Sequence, residues 1–203
     1  MRSDNETLTS PFGPELQKYW DRLSPIEKKM QLDAEALYSL VLQEPGLAVA
    51  HRTTGSRVVD AFCGAGGSAI AFARTGKQVI AIEIDPLRLE MARHNAALFN
   101  VTNQIEFICD DARVVLPNVE SDTIFLSPPW GGPGYSKSPL FKLNNFNPGG
   151  RELLSLAFAL AKNVVMQLPK NFDFDELNQF GRTYQHYPDK FEEHLLSYTA
   201  FFD

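Results

Sequence analysis

Three times between residues 57 and 111 a short apolar run ends at a carboxylate, and each time a turn and a helix-compatible stretch follow. Arg57-Val58-Val59-Asp60-Ala61-Phe62 runs into a glycine-rich turn and a helix over Ala69 to Arg74. Gln78 to Ile84 carries Glu83 near its end, and Pro86 to Phe99 places Leu87, Met91, Ala92 and Leu98 on one side of a helix. Ile105-Glu106-Phe107-Ile108 leads to Asp110-Asp111. A fourth strand is expected at Thr123 to Leu126, a helix from Arg151 to Lys162, a fifth strand at Asn163 to Leu168, a short helix around Asp175 to Phe180, and a last strand at Leu195 to Phe202. Strands alternating with helices specify an α/β fold with a doubly wound, Rossmann-like parallel sheet. Such sheets bind ligands outside the carboxyl ends of their strands, so all these turns are expected on one edge.

Before residue 51 the pattern differs. Leu16, Tyr19, Trp20 and Leu23, then Leu32, Ala36, Leu37, Leu40 and Val41, recur at helical steps, and Ser24-Pro25-Ile26-Glu27 reads as a capped helix start. Residues 14–50 are therefore expected to form a small helical extension, residues 1–13 a flexible tail, and residues 51–203 the main domain. Tyr19 and Trp20 are expected to pack this extension onto the main domain. The net charge of −6 excludes a protein that holds nucleic acid by blanketing its phosphates, but not one that grips a single nucleotide. No apolar run is long enough to span a bilayer, and the polar N-terminus has no signal-peptide pattern, so the expected setting is intracellular. Cys63 and Cys109 lack metal-ligand spacing, and no His pair stands at i, i+4, so no metal is expected. If the second strand separates the first from the third, these cysteines follow strands about 9–10 Å apart. A disulfide needs Cα atoms within roughly 7 Å, so both are expected as reduced, half-buried thiols.

Asp60-Ala61-Phe62-Cys63-Gly64-Ala65-Gly66-Gly67 is not the pyrophosphate fingerprint, because residue 69 is Ala69. Its acidic start suits a cationic or zwitterionic ligand, and three glycines exceed what a plain turn needs. Glu83 lies 23 residues beyond Asp60, close to the roughly 20-residue offset at which a carboxylate meets ribose hydroxyls. Asp85, just before Pro86, fits a helix N-cap. Of Asp110 and Asp111, one suits a cap and the other an adenine amino group. A ligand with a ribose, a purine and an amino acid meets these needs, as S-adenosylmethionine does. Ser127-Pro128-Pro129-Trp130 follows the fourth strand. Its prolines stiffen the turn and aim carbonyls outward, beside a hydroxyl and an aromatic plate. That set suits the exocyclic amino group of a stacked base.

The runs Val58 to Gly64, Val79 to Pro86, Ile105 to Cys109 and Phe125-Leu126-Ser127-Pro128-Pro129-Trp130-Gly131-Gly132-Pro133 resemble the trimethylguanosine synthase family, over about residues 15–203. Glu83 stands where that family often has Asp, which keeps the carboxylate, and Gly134 where an acid is common. The resemblance implies a class I S-adenosylmethionine-dependent methyltransferase, without metal, acting on the N2 amine of a 7-methylguanosine RNA cap. It assigns Asp60, Glu83 and Asp111 to the cofactor, with Phe62, Cys63, Gly64, Gly66 and Ile84 around them. Ser127 and Pro128 would fix the guanine amine and Trp130 would stack on the methylated base. Lys18-Tyr19-Trp20 resembles the start of the family's helical lid. Lys137, Lys142, Arg151 and Lys170 fall in loops on the expected active edge, and Lys170 is the expected phosphate contact. Capped RNA, ribonucleoprotein proteins, a monomer, and a nuclear or nucleolar setting, with the cytoplasm as alternative, complete what the resemblance implies. The competing readings are another RNA amino methyltransferase, on guanine N2 or adenine N6, and a non-catalytic cap- or cofactor-binding module.

Overall fold

The computed structural model describes residues 11–132 and 139–203. Most of the expected tail, together with Pro133, Gly134 and Lys137, lies outside the described residues. Seven strands form one sheet in the order β3-β2-β1-β4-β5-β7-β6. Strands β1 (Arg57–Asp60), β2 (Gln78–Glu83), β3 (Ile105–Cys109), β4 (Thr123–Leu126) and β5 (Asn163–Pro169) pair in parallel. β6 (Tyr184–Phe191) and β7 (His194–Phe202) form a hairpin whose second strand pairs antiparallel with β5.

Successive strand residues serve opposite faces, as the pleat requires. Val58, Val79, Ala81, Phe125 and Val165 pack with Ile70 and Phe72 of α4 (Gly67–Arg74) and Leu89 and Ala92 of α5 (Pro86–Leu98). Val59, Ile80, Ile82, Ile124, Val164 and Met166 pack with Val115 of α6 (Ala112–Val115) and Leu153, Leu154 and Ala157 of α7 (Gly150–Leu160). A short α8 (Asp175–Asn178) precedes the hairpin. The near-continuous apolar strands are those of a sheet buried on both faces. Strand order reverses at the β1–β4 junction, and this is where such sheets open a crevice.

The helical extension is more broken than its periodicity predicts. It comprises α1 (Gln17–Trp20), α2 (Ala34–Ser39) and α3 (Gln43–Arg52), with single 3-10 turns at Pro14–Leu16 and Glu27–Lys29. Val49 and Ala50 of α3 enter the same core as Ile70 and Phe72, so the last helix of the extension is part of the α/β layer. Trp20 packs with Leu23, Leu37 and Leu42 in a small cluster within the extension, which Phe191 and Leu196 of the hairpin also join.

Candidate active site

The carboxyl ends of the parallel strands open into a cavity of about 920 Å³ that the extension helps to enclose. Its walls come from the turns after β1, β2, β3, β4 and β5, from Lys18, Tyr19 and Arg22, and from the segment 35–42. Two halves differ in chemistry.

The first half surrounds the glycine-rich turn. Cys63 N donates to Ile82 O at 2.9 Å and Gly66 N to Cys63 O at 2.8 Å, which folds the turn back over β2. Gly64 has φ +52°, and a Cβ there would meet nothing within 4 Å, so its backbone stays open to a ligand. The other two glycines answer to packing. A Cβ on Gly66 (φ +92°) would lie 3.1 Å from Ala92 Cβ, and one on Gly67 only 2.5 Å from Val41 O. Gly66 is absent from the cavity wall, against its expected place at the cofactor. Its left-handed φ and close approach to Ala92 of α5 require a glycine there, so the turn's own packing explains more of its glycine than the sequence suggested.

Asp60 also departs from expectation. It is fully buried and does not line the cavity. Ser68 Oγ, which does line it, donates to Asp60 Oδ2 at 2.5 Å, and Phe62 N donates to Oδ1 at 3.4 Å. Burial pushes the Asp60 carboxyl up to about 7, against the hydrogen bonds from Ser68 and Phe62 and with help from the negative charge of Glu83. Asp60 thus bears on the site through Ser68 and the turn.

Glu83 is on the wall. Its Oε2 accepts from Gly64 N and its Oε1 from Asp85 N, both at 2.9 Å, which fixes the carboxylate at the end of β2. Ile84 is 67% exposed and beside it, an apolar face turned to the cavity. Asp85 Oδ1 accepts from Leu87 N at 2.8 Å and caps α5, as its place before Pro86 predicts. Of the acidic pair, Asp111 takes the cap. It caps α6 through Arg113 N at 2.8 Å, faces the cavity, and is held below the usual carboxylate range by the Arg113 guanidinium at 2.6 Å. Nothing in the sequence marked Arg113. Cys63 is buried, and burial pushes its thiol up; Cys109 is exposed. Both are free, but neither is half-buried, since Cys63 turns into the α4–α5 core and Cys109 ends the edge strand β3.

The second half is the turn after β4. Ser127, Pro128, Pro129 and Trp130 all line the cavity. Ser127 Oγ donates to Gln167 Oε1 at 2.8 Å, which leaves the hydroxyl lone pairs as acceptors. The Pro129 carbonyl accepts from Asn147 N at 3.4 Å and ties the turn to the 146–149 loop. Trp130 is half-buried and packs against the α6–α7 core while one side meets the cavity, so more core reaches it than a sheet-edge indole implied. Gly131 and Gly132 have φ +86° and +74°, and a Cβ on Gly132 would come within 3.0 Å of Tyr38 Oη. Tyr38 of the extension therefore stands close over Gly132, just past the Pro-Pro-Trp turn, a proximity the sequence did not reveal.

The expected cations separate. Lys170 is exposed and lines the cavity. Lys142 pairs with Asp173 at 3.9 Å and Arg151 bonds the Gln179 side chain; neither is on the wall. The extension instead contributes Lys18 and Arg22, whose charges sit 4.9 and 5.6 Å from the Tyr19 ring centroid. Arg22 carried no motif, and only the helical step from Lys18 and Tyr19 could have singled it out.

One wall is thus acidic and backbone-rich, with room for a cationic nucleoside. The other offers an acceptor hydroxyl, an indole and cations, with room for a base and its phosphates. A family profile described as RNA cap guanine-N2 methyltransferase matches residues 55–195. The chain is 32% identical over 189 residues to the trimethylguanosine synthase of Schizosaccharomyces pombe, across 86% of this chain and 79% of that protein. It is 30% identical over 133 residues to the trimethylguanosine synthase of Saccharomyces cerevisiae, across 62% of this chain and 42% of that one. A crystal structure of a SAM-dependent methyltransferase from Agrobacterium tumefaciens shares the fold, with a TM-score of 0.53 and 16% identity over 79% of this chain and 59% of that one. With the two-sided cavity, these matches establish that the chain belongs to the RNA cap guanine-N2 methyltransferase family, enzymes that methylate the cap guanine amine at the expense of S-adenosylmethionine.

Proposed function

We propose that the acceptor is a guanine already methylated at N7, held with its N2 amine at Ser127 and Pro128 and its ring on Trp130. The observation that carries this reading is the shared cavity of the Ser127–Trp130 turn and the Gly64–Glu83 wall. N7 methylation makes the ring cationic and electron-poor, and an indole face favours such a ring over plain guanine. Lys18, Arg22 and Lys170 suit the phosphates that follow a cap nucleoside.

Bound S-adenosylmethionine supplies an activated sulfonium methyl. The open backbone at Gly64, the carboxylate of Glu83, the apolar face of Ile84 and the carboxylate of Asp111 fit its amino acid, ribose and adenine. Ser127 Oγ and the Pro128 carbonyl accept the amine hydrogens and aim the nitrogen lone pair along the line of displacement. Holding the reacting atoms at near-attack distance contributes several kcal/mol, about the scale that positioning alone supplies. Among the described residues the cavity wall contains no histidine, and the proton leaves to water once the alkylated nitrogen is cationic. One or two methyl groups are added according to the room left beside Ser127. Capped small nuclear and nucleolar-type RNAs within ribonucleoproteins, in the nucleus, are the substrates this reading favours.

Turnover of cap dinucleotides with and without the N7 methyl, followed by mass spectrometry of the product, tests the reading. The methylated cap is expected to be the strongly preferred substrate and to gain mass on the guanine. Equal turnover of both would return the protein to a general guanine amino methyltransferase. No transfer to either would leave a binding module.

A further inference from the structure

Behind Ser127 runs a chain of hydrogen bonds that crosses the sheet to its far edge. Ser127 Oγ donates to Gln167 Oε1 at 2.8 Å, and Gln167 Nε2 donates to Ser197 Oγ at 3.2 Å. Ser197 Oγ donates to Asp189 Oδ2 at 2.6 Å, and Thr199 Oγ1 lies 3.0 and 2.9 Å from the two oxygens of the same carboxylate. The four residues from Ser127 to Asp189 stand on the turn after β4, on β5, on β7 and on β6, where Asp189 is paired with Ser197 in the hairpin register. Asp189 is 6% exposed, Ser197 2% and Thr199 0%. Ser127, Gln167, Ser197 and Asp189 all border the cavity, so this buried carboxylate belongs to its wall.

Every donor in the chain points toward Asp189. A carboxylate is the strongest acceptor present, so it claims the Ser197 hydrogen. Ser197 Oγ then presents only lone pairs to Gln167, which turns the amide so that Nε2 faces Ser197 and Oε1 faces Ser127. With the carbonyl oxygen facing it, Ser127 must spend its hydrogen on Gln167. Its lone pairs are left for the cavity. That polarity matters for the reaction: a hydroxyl hydrogen turned toward the substrate would bond the amine lone pair that has to attack the methyl group. An amide cannot pass a proton along such a chain, so the chain orients and does not relay.

We infer that Asp189, acting through Ser197 and Gln167, is a positioning residue that keeps Ser127 an acceptor toward the substrate amine. The inference rests on the assignment of the amine to Ser127. It gives the β6–β7 hairpin a task in the chemistry, although its outer strand lies three strands from the Pro-Pro-Trp turn.

A double-mutant cycle on a 7-methylguanosine cap dinucleotide tests it. Asp189→Asn is expected to lower kcat roughly tenfold, the equivalent of about 1.4 kcal/mol, with little change in the KM for S-adenosylmethionine. In the Ser127→Ala background the same substitution is expected to cost almost nothing, because no hydroxyl remains to be oriented. A role confined to stability would lower kcat alike in both backgrounds, and that outcome, or no loss in either, would overturn the inference. Gln167→Leu runs the same cycle if Asp189→Asn does not fold, with thermal melting as the check. Turnover by the unsubstituted protein reports separately on the cap reading, so failure there is distinct from additivity in the cycle.

Discussion

At Asp60 the protein holds a carboxyl group where water would never leave it. Sequence placed an acid after the first strand; it has no measure of how deeply Ala61, Phe62 and Ser68 would cover it. The consequence is a pH dependence with a definite sign. The carboxyl titrates near 3.8 in an unfolded chain and at about 7 in the folded one. Between those values the native state keeps a proton that the unfolded state has lost, so this contribution is full below pH 4 and disappears as pH rises to 7. A shift of that size corresponds to roughly 4 kcal/mol at most. Asp189, also raised by burial, slopes the same way, whereas Asp33 and Asp111, both lowered, act below pH 4. Asp60→Asn is therefore expected to flatten, but not abolish, the fall in stability between pH 4.5 and 7.5, as read by urea denaturation at both values. An unchanged slope would show that Asp60 is solvated in solution. A cationic ligand near the turn should favour the ionised form, so binding of S-adenosylmethionine at pH 7 is expected to release a fraction of a proton. Calorimetry in buffers of different ionisation enthalpy reads that fraction, and the same observed enthalpy in all of them would count against any coupling to Asp60.

The elements were legible where periodicity and tertiary packing agree. The five parallel strands and the helices α4, α5 and α7 fall within a residue or two of their sequence limits, because short apolar runs bounded by turns favour strands buried on both faces. Two places escaped. β6 contains Pro188 and alternates poorly, and it survives as a strand because it lies at the sheet edge, where a missing donor is tolerated. The expected helix after Ser24 has its capping box, with Ser24 N on Glu27 Oε2 at 2.9 Å and Glu27 N on Ser24 Oγ at 3.4 Å. It stops after one turn because Gln31 N donates to the buried Asn95 Oδ1 at 2.7 Å, which draws the chain into extended form. Glu27 Oε1 then accepts from Gln43 N at 2.9 Å and serves the start of α3. Local signals were right and long-range partners changed what they built. The glycine turn shows the same competition in testable form. Gly67→Ala would drive a Cβ into the Val41 carbonyl, which is backbone and cannot swing aside. Amides of residues 36–42 are expected to exchange about tenfold faster, near 1.4 kcal/mol of weakened docking. Gly64→Ala has open space and carries only the strain of its positive φ, about 1–2 kcal/mol. Hydrogen exchange should therefore separate the two variants, and equal protection of 36–42 in both would mean the extension is not seated on this turn.

At the scale of the molecule, a net charge of −6 coexists with a cavity into which Lys18, Arg22 and Lys170 project. The extension that carries two of these cations is held down by opposite charge. Arg88 of α5 bonds Asp33 at 3.0 Å and Glu35 at 2.5 Å, and these half-exposed pairs join the Gln31–Asn95 bonds in closing the extension over the strand ends. Lys18, Arg22 and Lys170 thus face the cavity proposed to take the cap, and the overall balance is unfavourable to the rest of an RNA. Phosphate contacts contribute affinity in proportion to how many are neutralised, and beyond the cap this chain has a repulsive average field. Recognition should therefore be complete at the cap. The KM for a 7-methylguanosine cap dinucleotide is expected to lie within about threefold of that for a capped RNA of twenty nucleotides, with a shallow salt dependence set by the two or three cations at the cavity. Lys18→Ala combined with Arg22→Ala should raise both values by the same factor, since both ligands share those phosphates. A long RNA bound a hundredfold more tightly, with a steep salt slope, would require a nucleic-acid track that an acidic surface does not offer.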